Sequence, residues 1–359
     1  MKNRLHRLQR LLKQHQLDAL LVTQKINRNY LSGFTGTSCT VMAGVKQSLF
    51  VTDFRYAHQA KDQVHGFTIK ISSLQQSSIQ SVITHAKAWK YKRLGFESAH
   101  LTYAAYQGII KQLSGTKIEL IPVEGLVEEV RMIKDANELK LIKKANDISL
   151  QAFTNMIPHI KVGVKESDLA LAYEMEARKL GADGLAFDTI VASGYRSAYP
   201  HGVAGNKRIK KNEFITIDFG VVYQGYHSDC TRTFIVGKPS AKQKDIYTAV
   251  QVAQQAALAQ VRPGISTKEL DTIARDIITQ SGYGDCFGHG LGHGVGMEIH
   301  EAPRLSQISD IPLQPGMVIT VEPGIYLESF GGVRIEDLVI VTDKGYKVLS
   351  KYTKELVCL

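Results

Sequence analysis

The sequence predicts two domains, an α/β domain followed by a larger α+β domain. Its 359 residues exceed the roughly 100–200 of one average domain. Strand-like and helix-like segments alternate in the first third, whereas further along two pairs of helices each precede strand-like segments. A stretch with Pro122 and Gly125, followed by a run of charged residues, separates the two regions. We therefore place the domains at residues 1–126 and 134–359.

Composition and charge exclude several classes of protein. The net charge is +10, but the basic residues are scattered, and their densest groups, at 207–211 and 131–144, are typical of a solvated loop and a helix face. We therefore expect no nucleic-acid partner. The four cysteines form no Cys-x-x-Cys pair, which excludes zinc-finger and thioredoxin-type motifs. Without an apolar run suited to a signal peptide or membrane span, a cytoplasmic protein with reduced thiols and no membrane contact is expected.

In the N-terminal region, periodicity predicts a leading helix in which Leu5, Leu8, Leu11 and Leu12 fall on one face. Buried strands are predicted at 17–23, 48–54 and 91–97, with helices at 56–63 and 78–89 between them. Asp53 and His58 are isolated from other chemically active residues, so surface or capping roles are expected.

Four helices are predicted in the C-terminal region. Asp135 and Ser266 each precede a glutamate by three positions, the pattern of a capping box. Ser167 is a suitable N-cap for the second helix, and Gly181 is a suitable end for it. The third and fourth helices are predicted over 242–261 and 266–280. This order is typical of two similar α+β halves around a shared site.

Between the helix pairs, residues 214–222 and 226–234 are strand-like and are joined by Gln224 and Gly225, which suit a two-residue hairpin turn. If the residues that flank this turn pair with each other, opposed partners have numbers that sum to 449.

That register places two aspartates on one face of the hairpin. Gly220 faces Asp229, and Asp218 lies two residues from Gly220 on the same face. The aspartates become diagonal neighbours roughly 7–8 Å apart, and we interpret Gly220 as leaving room between them. A hairpin with two surface acids explains Asp229 but not Asp218, whose segment FITIDFGVV is nearly all apolar.

The segment GHGLGHGVGMEIHEAP carries His289, His293 and His300. Its alternating glycines disfavour a long helix, and their spacing does not match GxGxxG. Pro303 would break the helix that an HExxH motif requires. We therefore expect open backbone that presents imidazoles where a substrate approaches closely.

Two further glutamates close or follow strand-like runs. Glu322 ends VITVE directly before Pro323. Arg334 and Glu336 lie two residues apart in GVRIEDLVI and so share one strand face. An arginine there can orient a ligand carboxylate, and a plain surface ion pair is the alternative for these two residues.

Four carboxylates and one imidazole therefore fall in apolar strands or turns bounded by glycine: Asp218, Asp229, His293, Glu322 and Glu336. Proteins rarely bury acidic side chains unless these are paired or bound to metal. A pair of divalent metal ions is the common partner that we predict. Oxygen-rich ligation with one imidazole suits Mn²⁺, with Co²⁺, Fe²⁺ or Zn²⁺ as alternatives.

From Lys134 to Tyr352 the chain resembles the pita-bread metallopeptidases, which include methionine aminopeptidase, aminopeptidase P and prolidase. The five residues follow the family's order, and IDFG, VEPG and RIED resemble its proline-specific branch. NRNYLSGFTGTS and LFVTDFRY resemble the creatinase-type N-terminal domain of short bacterial Xaa-Pro aminopeptidases, and prolidases have a similar domain. The resemblance implies a creatinase-like α/β domain and an α+β pita-bread catalytic domain.

The resemblance also implies how the ligands are shared. Asp218 binds one metal, Asp229 and Glu336 bridge both, and His293 and Glu322 bind the other.

Further roles follow from the same resemblance. Glu322 also shuttles a proton, His201 contacts the substrate carbonyl, and His300 stabilises the tetrahedral intermediate. His289 and Arg334 match supporting positions near the metals.

The function expected first is an Xaa-Pro aminopeptidase, which acts on proline-containing peptides. The alternative is an Xaa-Pro dipeptidase, or prolidase, which shares every predicted ligand. Creatinase uses no metal and lacks the ligand set, so the intact set argues against it. A non-catalytic binding module is a further alternative, although such relatives typically lose ligands. The family also implies a homodimer.

Overall fold

The computed structural model describes residues 2–73 and 76–359. The chain divides into two compact units, residues 1–131 and 132–359. Among the described residues, no helix has the length and apolar character needed to cross a membrane.

The first unit contains one mixed β-sheet, as the alternating sequence pattern predicts. Its strands lie in the order β4-β3-β2-β1-β5-β6, with β1–β2 and β2–β3 antiparallel and the other neighbours parallel. The strands are β1 (Ala19–Val22), β2 (Thr40–Gly44), β3 (Leu49–Thr52), β4 (Thr68–Ile71), β5 (Arg93–Glu97) and β6 (Glu119–Val123). The helices are α1 (Lys2–Gln14), α2 (Lys25–Ser32), α3 (Ala57–Gln63), α4 (Ser78–Ala88) and α5 (Tyr103–Leu113), and α6 (Leu126–Met132) follows β6. Asp53 caps a short 3-10 turn through a bond from the Arg55 amide, which is the capping role expected of it.

The second unit contains the four predicted helices and several small antiparallel sheets. The helices are α7 (Ala136–Met156), α8 (Glu166–Lys179), α9 (Ala241–Gln260) and α10 (Thr267–Gln280). The strands of its first half are β7 (Gly184–Leu185), β8 (Ile190–Ser193), β9 (Glu213–Phe219), β10 (Val221–Tyr223), β11 (Tyr226–His227) and β12 (Cys230–Val236). Those of its second half are β13 (Gly292–Gly294), β14 (Glu301–Leu305), β15 (Val318–Val321), β16 (Gly324–Leu327), β17 (Gly331–Arg334), β18 (Asp337–Thr342) and β19 (Gly345–Val348).

Two hydrophobic cores lie on opposite faces of the β9–β12 strand pair. Helices α7 and α8 pack on one face, where Phe153 stacks on Phe219 with ring centroids 4.1 Å apart. Helices α9 and α10 belong to the core that Phe214 and Ile235 join from the other face. Because alternate residues of a strand point to opposite faces, Asp218 points away from the Phe219 core, towards the second half of the unit.

The β9–β12 hairpin has the predicted register. Tyr223 pairs with Tyr226, and Asp218 pairs with Thr231, so partner numbers sum to 449 throughout. The turn residues Gln224 and Gly225 have φ angles of 47° and 78°, the positive values of a type I′ turn.

The prediction of two unbroken strands was wrong, because the ladder is interrupted where Gly220 faces Asp229. A Cβ at Gly220 would lie 2.1 Å from the Ser228 carbonyl oxygen. The missing side chain therefore allows close backbone approach, rather than making room between the aspartates as the sequence analysis proposed.

Two other local predictions fail because tertiary contacts override local signals. Helix α8 begins at Glu166 and not after a Ser167 cap, since the buried Glu166 carboxylate accepts hydrogen bonds of 2.8 Å from the Ser193 amide and hydroxyl. The single strand predicted for GVRIEDLVI is two strands, β17 and β18, with Ile335 and Glu336 between them. The capping boxes at Asp135 and Ser266 are confirmed.

The close approach at Gly220 predicts that Gly220→Ala will lower the free energy of unfolding of the second unit by more than about 2 kcal/mol, a value typical of overpacked sites. Urea denaturation, monitored by far-UV circular dichroism, measures this free energy. Gly108→Ala is the control, because its Cβ would meet nothing within 4 Å on helix α5, and alanine there should stabilise slightly. Unchanged stability of Gly220→Ala would show that the hairpin relaxes without loss.

Candidate metal centre

A cleft of about 910 Å³ in the second unit collects the residues that the sequence analysis singled out. Its walls include all five predicted ligands and the four accessory residues His201, His289, His300 and Arg334. Asp218, His293 and Arg334 lie on strands β9, β13 and β17, and the other residues lie on the segments between strands.

Strand register explains how the glutamates meet the aspartates. Val321 of β15 pairs with Asp337 of β18, so the next position outward places Glu322 opposite Glu336. The Glu336 amide donates to the Thr231 carbonyl oxygen at 3.1 Å, which joins this pair of strands to the hairpin that carries Asp218.

His293 lies at the middle of the acidic group. Its Nε2 atom is 3.5 Å from Asp229 Oδ2 and 3.3 Å from Glu322 Oε1. Ligand-type atoms of Asp229, His293 and Glu336 all lie within 4.8 Å of one another. His293 Nδ1 lies 3.0 Å from the Gly294 carbonyl oxygen, which can only accept, so Nδ1 donates and Nε2 faces the carboxylates. Without metal, Nε2 donates to Glu322, and although burial acts to lower the pKa of His293, this partner raises it. A metal ion would replace that proton.

In two of the carboxylates, one oxygen accepts a hydrogen bond and the other has no hydrogen-bond partner among the described residues. Asp218 Oδ2 accepts from Arg334 at 2.7 Å, and Glu336 Oε2 accepts from the Thr231 hydroxyl at 2.7 Å. Asp218 Oδ1 and Glu336 Oε1 are buried without a hydrogen-bond partner in the described chain. Such orphaned atoms are rare in folded proteins, and a divalent cation would satisfy both. The donor set therefore fits a metal site.

The pKa values in the absence of metal reflect crowded negative charge. Burial, followed by repulsion from Glu336, raises the pKa of Asp229 well above its ordinary value, and burial with repulsion from Glu322 does the same to Glu336. Burial also raises the pKa of Asp218, although Arg334 opposes this. Burial acts in the same direction on Glu322, but the His293 hydrogen bond and charge outweigh it and lower the pKa of Glu322 to about 2.

A chain of hydrogen bonds continues from Asp218 to His289. Arg334 donates to the Tyr326 hydroxyl at 3.0 Å, and that hydroxyl lies 2.9 Å from His289 Nε2. His289 Nδ1 donates to the Gly290 carbonyl oxygen at 2.8 Å, so Nε2 accepts from Tyr326 and the ring is neutral. Burial, which lowers the pKa of His289, agrees with this tautomer. Tyr326 was not predicted from the sequence, although its place four residues after Glu322 was a usable signal.

The two histidines with predicted catalytic roles line the cleft beside the acidic group. The His300 ring packs edge-on against His293, with centroids 4.4 Å apart, and burial followed by the His293 charge lowers the pKa of His300. His201 lies on an exposed loop that is tied at its base, where Arg196 pairs with Glu166 and donates to the Val203 carbonyl oxygen at 2.8 Å.

The glycine-rich segment is held by helix α10. Asp271 accepts from the Leu291 amide at 2.8 Å, and Arg275 donates to the Phe287 and His289 carbonyl oxygens at 2.8 Å each. Nothing in the sequence distinguishes this Asp–Arg pair from a surface pair at helical spacing.

The glycines around His293 serve close packing within the sheet, which differs from the expected approach of substrate. A Cβ at Gly292 would lie 2.2 Å from the Thr320 carbonyl oxygen, and one at Gly294 would lie 2.3 Å from that of Ala302. Arg334 and Glu336 do share one side, as predicted, but they meet through the Thr231 hydroxyl, to which Arg334 Nε donates at 3.0 Å.

A cleft in which buried carboxylates with orphaned oxygens surround an imidazole is typical of metal-dependent hydrolases. The chain matches the model of metallopeptidase family M24 over residues 140–343, and that of the creatinase/prolidase N-terminal domain over residues 4–133. The chain belongs to metallopeptidase family M24, and it is a hydrolase.

Two curated relatives match almost the whole chain. The uncharacterized peptidase YqhT of Bacillus subtilis is 44% identical and covers 99% of this chain and 100% of its own length. The Xaa-Pro dipeptidase of Pyrococcus furiosus is 40% identical, with 99% and 100% covered.

Solved structures agree with these relatives. An Xaa-Pro dipeptidase from Bacillus anthracis has a TM-score of 0.96 at 44% identity and covers 100% of this chain and 99% of its own. An X-Pro aminopeptidase from Thermotoga maritima has a TM-score of 0.90 at 36% identity, with 98% and 100% covered. The predicted family and the predicted fold, a creatinase-type domain followed by a pita-bread domain, are confirmed.

The crowding of negative charge should affect how the stability of the metal-free protein depends on pH. Because the pKa of Asp229 in the folded protein is raised, the contribution of this carboxyl group to the stability of the metal-free protein is fully present below its unfolded-state pKa of about 3.9 and is lost as the pH rises through its folded-state pKa. Asp229→Asn should therefore raise the melting temperature of the chelator-treated protein at pH 8 by a few degrees, with little change near pH 4.

Differential scanning fluorimetry measures this, and Asp343→Asn, an exposed acid in the β18–β19 turn, is the control for charge alone. Mn²⁺ should stabilise the wild-type protein but not Asp229→Asn. A variant that is less stable than wild type at pH 8 without metal would contradict the assignment of strain to this carboxylate.

Proposed function

We propose that the protein is a metal-dependent Xaa-Pro dipeptidase that holds two divalent metal ions, Mn²⁺ foremost. The observation that carries the proposal is the acidic group itself, whose two orphaned oxygens belong to residues that line the cleft. Arg304 lines the same cleft, and its guanidinium has no ion-pair partner in the described part of the chain. Asp218, Asp229, His293, Glu322 and Glu336 hold the ions. The predicted homodimer and cytoplasmic location remain part of this proposal.

The chain's own residues account for the remaining chemistry. Bound divalent ions lower the pKa of water and polarise a carbonyl group. Glu322, held by the Thr320 hydroxyl at 3.0 Å, takes the proton of the attacking water and passes it to the proline nitrogen, which leaves poorly unless protonated. His201 and His300 bind the substrate carbonyl oxygen as it gains negative charge.

The comparisons support the dipeptidase better than the aminopeptidase that the sequence analysis placed first. Relatives named Xaa-Pro dipeptidase are 40% identical over nearly the whole chain, and the structure with a TM-score of 0.96 has the same name. The T. maritima aminopeptidase keeps the other function as the alternative. A non-catalytic binding module is disfavoured, because such a module has no need of the orphaned oxygens.

Arg304 supports the same choice. It lines the cleft, and its positive charge helps to lower the pKa of His300, after burial and His293. No carboxylate of the described residues lies within ion-pair distance of its guanidinium. A dipeptide that ends in proline has its free carboxylate one residue beyond the scissile bond, and a guanidinium beside the catalytic histidine can bind it. A longer peptide lacks that carboxylate.

Hydrolysis assays test the function. With Mn²⁺, Leu-Pro should be cleaved faster than Leu-Pro-Gly, because only the dipeptide places a carboxylate at Arg304. Glu322→Gln should lower kcat at least about 10²-fold through loss of the proton acceptor. Glu328→Gln, an exposed acid in the β16–β17 turn, serves as the control and should be fully active. Faster cleavage of the tripeptide would identify an aminopeptidase, and full activity of Glu322→Gln would remove its role.

The role of Arg304 has its own test. Arg304→Gln should raise the KM for Leu-Pro about 10- to 100-fold, in keeping with the loss of a charge-assisted hydrogen bond. The KM for Leu-Pro amide, which lacks the carboxylate, should be high in wild type and unchanged in the variant. Arg262→Gln, an exposed arginine after helix α9, is the control. An equal rise for the acid and the amide would show that Arg304 does not bind the carboxylate.

A further inference from the structure

One wall of the cleft is formed by a segment that bulges out of the sheet. Strand β8 pairs with β9 so that partner numbers sum to 408, as in Ile190 with Asp218. Strand β7 pairs with β10 so that the sum is 406, as in Leu185 with Val221. Residues 186–189 therefore face only two residues on the opposite strands. Bulges of this kind re-aim side chains beside active sites.

The bulge directs Phe187 and Asp188 to the cleft. Phe187 packs where Gly220 leaves space, since a Cβ at Gly220 would lie 3.1 Å from its ring. Asp188 is exposed, and it has no hydrogen bond or ion pair with any residue in the described part of the chain. It is thus a free carboxylate in the wall of the cleft, unlike the four acids of the candidate metal centre.

The position of Asp188 relative to the reaction centre limits what it can bind. Ile190 is the direct neighbour of Asp218 across the strands, and Asp188 precedes Ile190 by two residues in the bulge, so their Cα atoms are at most about 7 Å apart. The α-amine of a substrate stays one carbon from the scissile carbonyl, so it lies at the metal centre and not at Asp188. A lysine or arginine side chain on that first residue is long enough to span the interval.

We propose that Asp188 makes the enzyme select Xaa-Pro substrates whose first residue is lysine or arginine. This inference rests on the proposed function and adds the substrate class. The cationic group pairs with the exposed carboxylate while its aliphatic stem lies along Phe187 and Ile190. An exposed ion pair of this kind favours Lys-Pro over Leu-Pro about two- to five-fold in kcat/KM, and added salt reduces the preference.

The cleft contains a matched control. Asp285 is a second exposed acid in its lining, on a short 3-10 turn remote in sequence from the bulge. Asp188→Asn and Asp285→Asn remove the same charge from the same cleft, so a general change in potential affects both variants and a specific pair affects one.

The experiment compares kcat/KM for Lys-Pro, Leu-Pro and Glu-Pro with wild type and both variants. Asp188→Asn should abolish the preference for Lys-Pro and leave Leu-Pro unchanged, Asp285→Asn should keep the preference, and Asp188→Lys should favour Glu-Pro. An unchanged preference in Asp188→Asn, an equal loss for all dipeptides, or a loss of preference only in Asp285→Asn would overturn the proposal.

Failure of the proposed function gives a different result. If wild type hydrolyses no Xaa-Pro dipeptide, calorimetric titration with Lys-Pro and Leu-Pro still measures recognition by the cleft. Tighter binding of Lys-Pro by wild type and not by Asp188→Asn supports the role of Asp188, and equal binding of both dipeptides by wild type overturns it.

Discussion

The confinement of negative charge around His293 is the constraint on which the second unit depends. Asp229 and Glu336 are almost fully buried, and Asp218 and Glu322 expose little of their side chains. Without a cation, burial and mutual repulsion raise the pKa of three of these four carboxylates. Such an arrangement is unfavourable for folding and persists only where the surrounding structure compels it and a ligand compensates for it.

Backbone pairing, more than charge, holds the four carboxylates close together. Thr231 is the junction, because it pairs with Asp218 in the hairpin, accepts the Glu336 amide at its carbonyl oxygen, and donates its hydroxyl to the Glu336 side chain. One residue further, the buried Arg232 pairs with Asp337 at 2.7 Å and donates to the Glu336 carbonyl oxygen. The strand pairing and these side chains hold the carboxylates at separations that their mutual repulsion would otherwise increase.

The sequence was sufficient for those parts of the molecule that depend on local pattern and residue chemistry. The hairpin register followed from the turn at Gln224 and Gly225, and buried acids in apolar strands indicated a cation site. What could not be predicted depends on which elements pack together. Glu166, and not Ser167, begins helix α8, because its carboxylate binds Ser193. That partner lies 27 residues away in the sequence, so no local pattern indicates it. Asp271 and Arg275 hold the histidine loop, yet in sequence they are indistinguishable from a solvated helical pair.

The two halves of the cleft differ in a way that bears on the choice of substrate. The metal-facing half holds its charges tightly, since each carboxylate there has a partner or a place for a cation. In the outer half Asp188 and Arg304 are free of such partners in the described chain, and they carry opposite charges. A dipeptide with a cationic first residue and a terminal carboxylate has the complementary pair of charges on either side of its scissile bond. In the proposed function, the inner charges serve the reaction, and the outer charges select the substrate that reaches it.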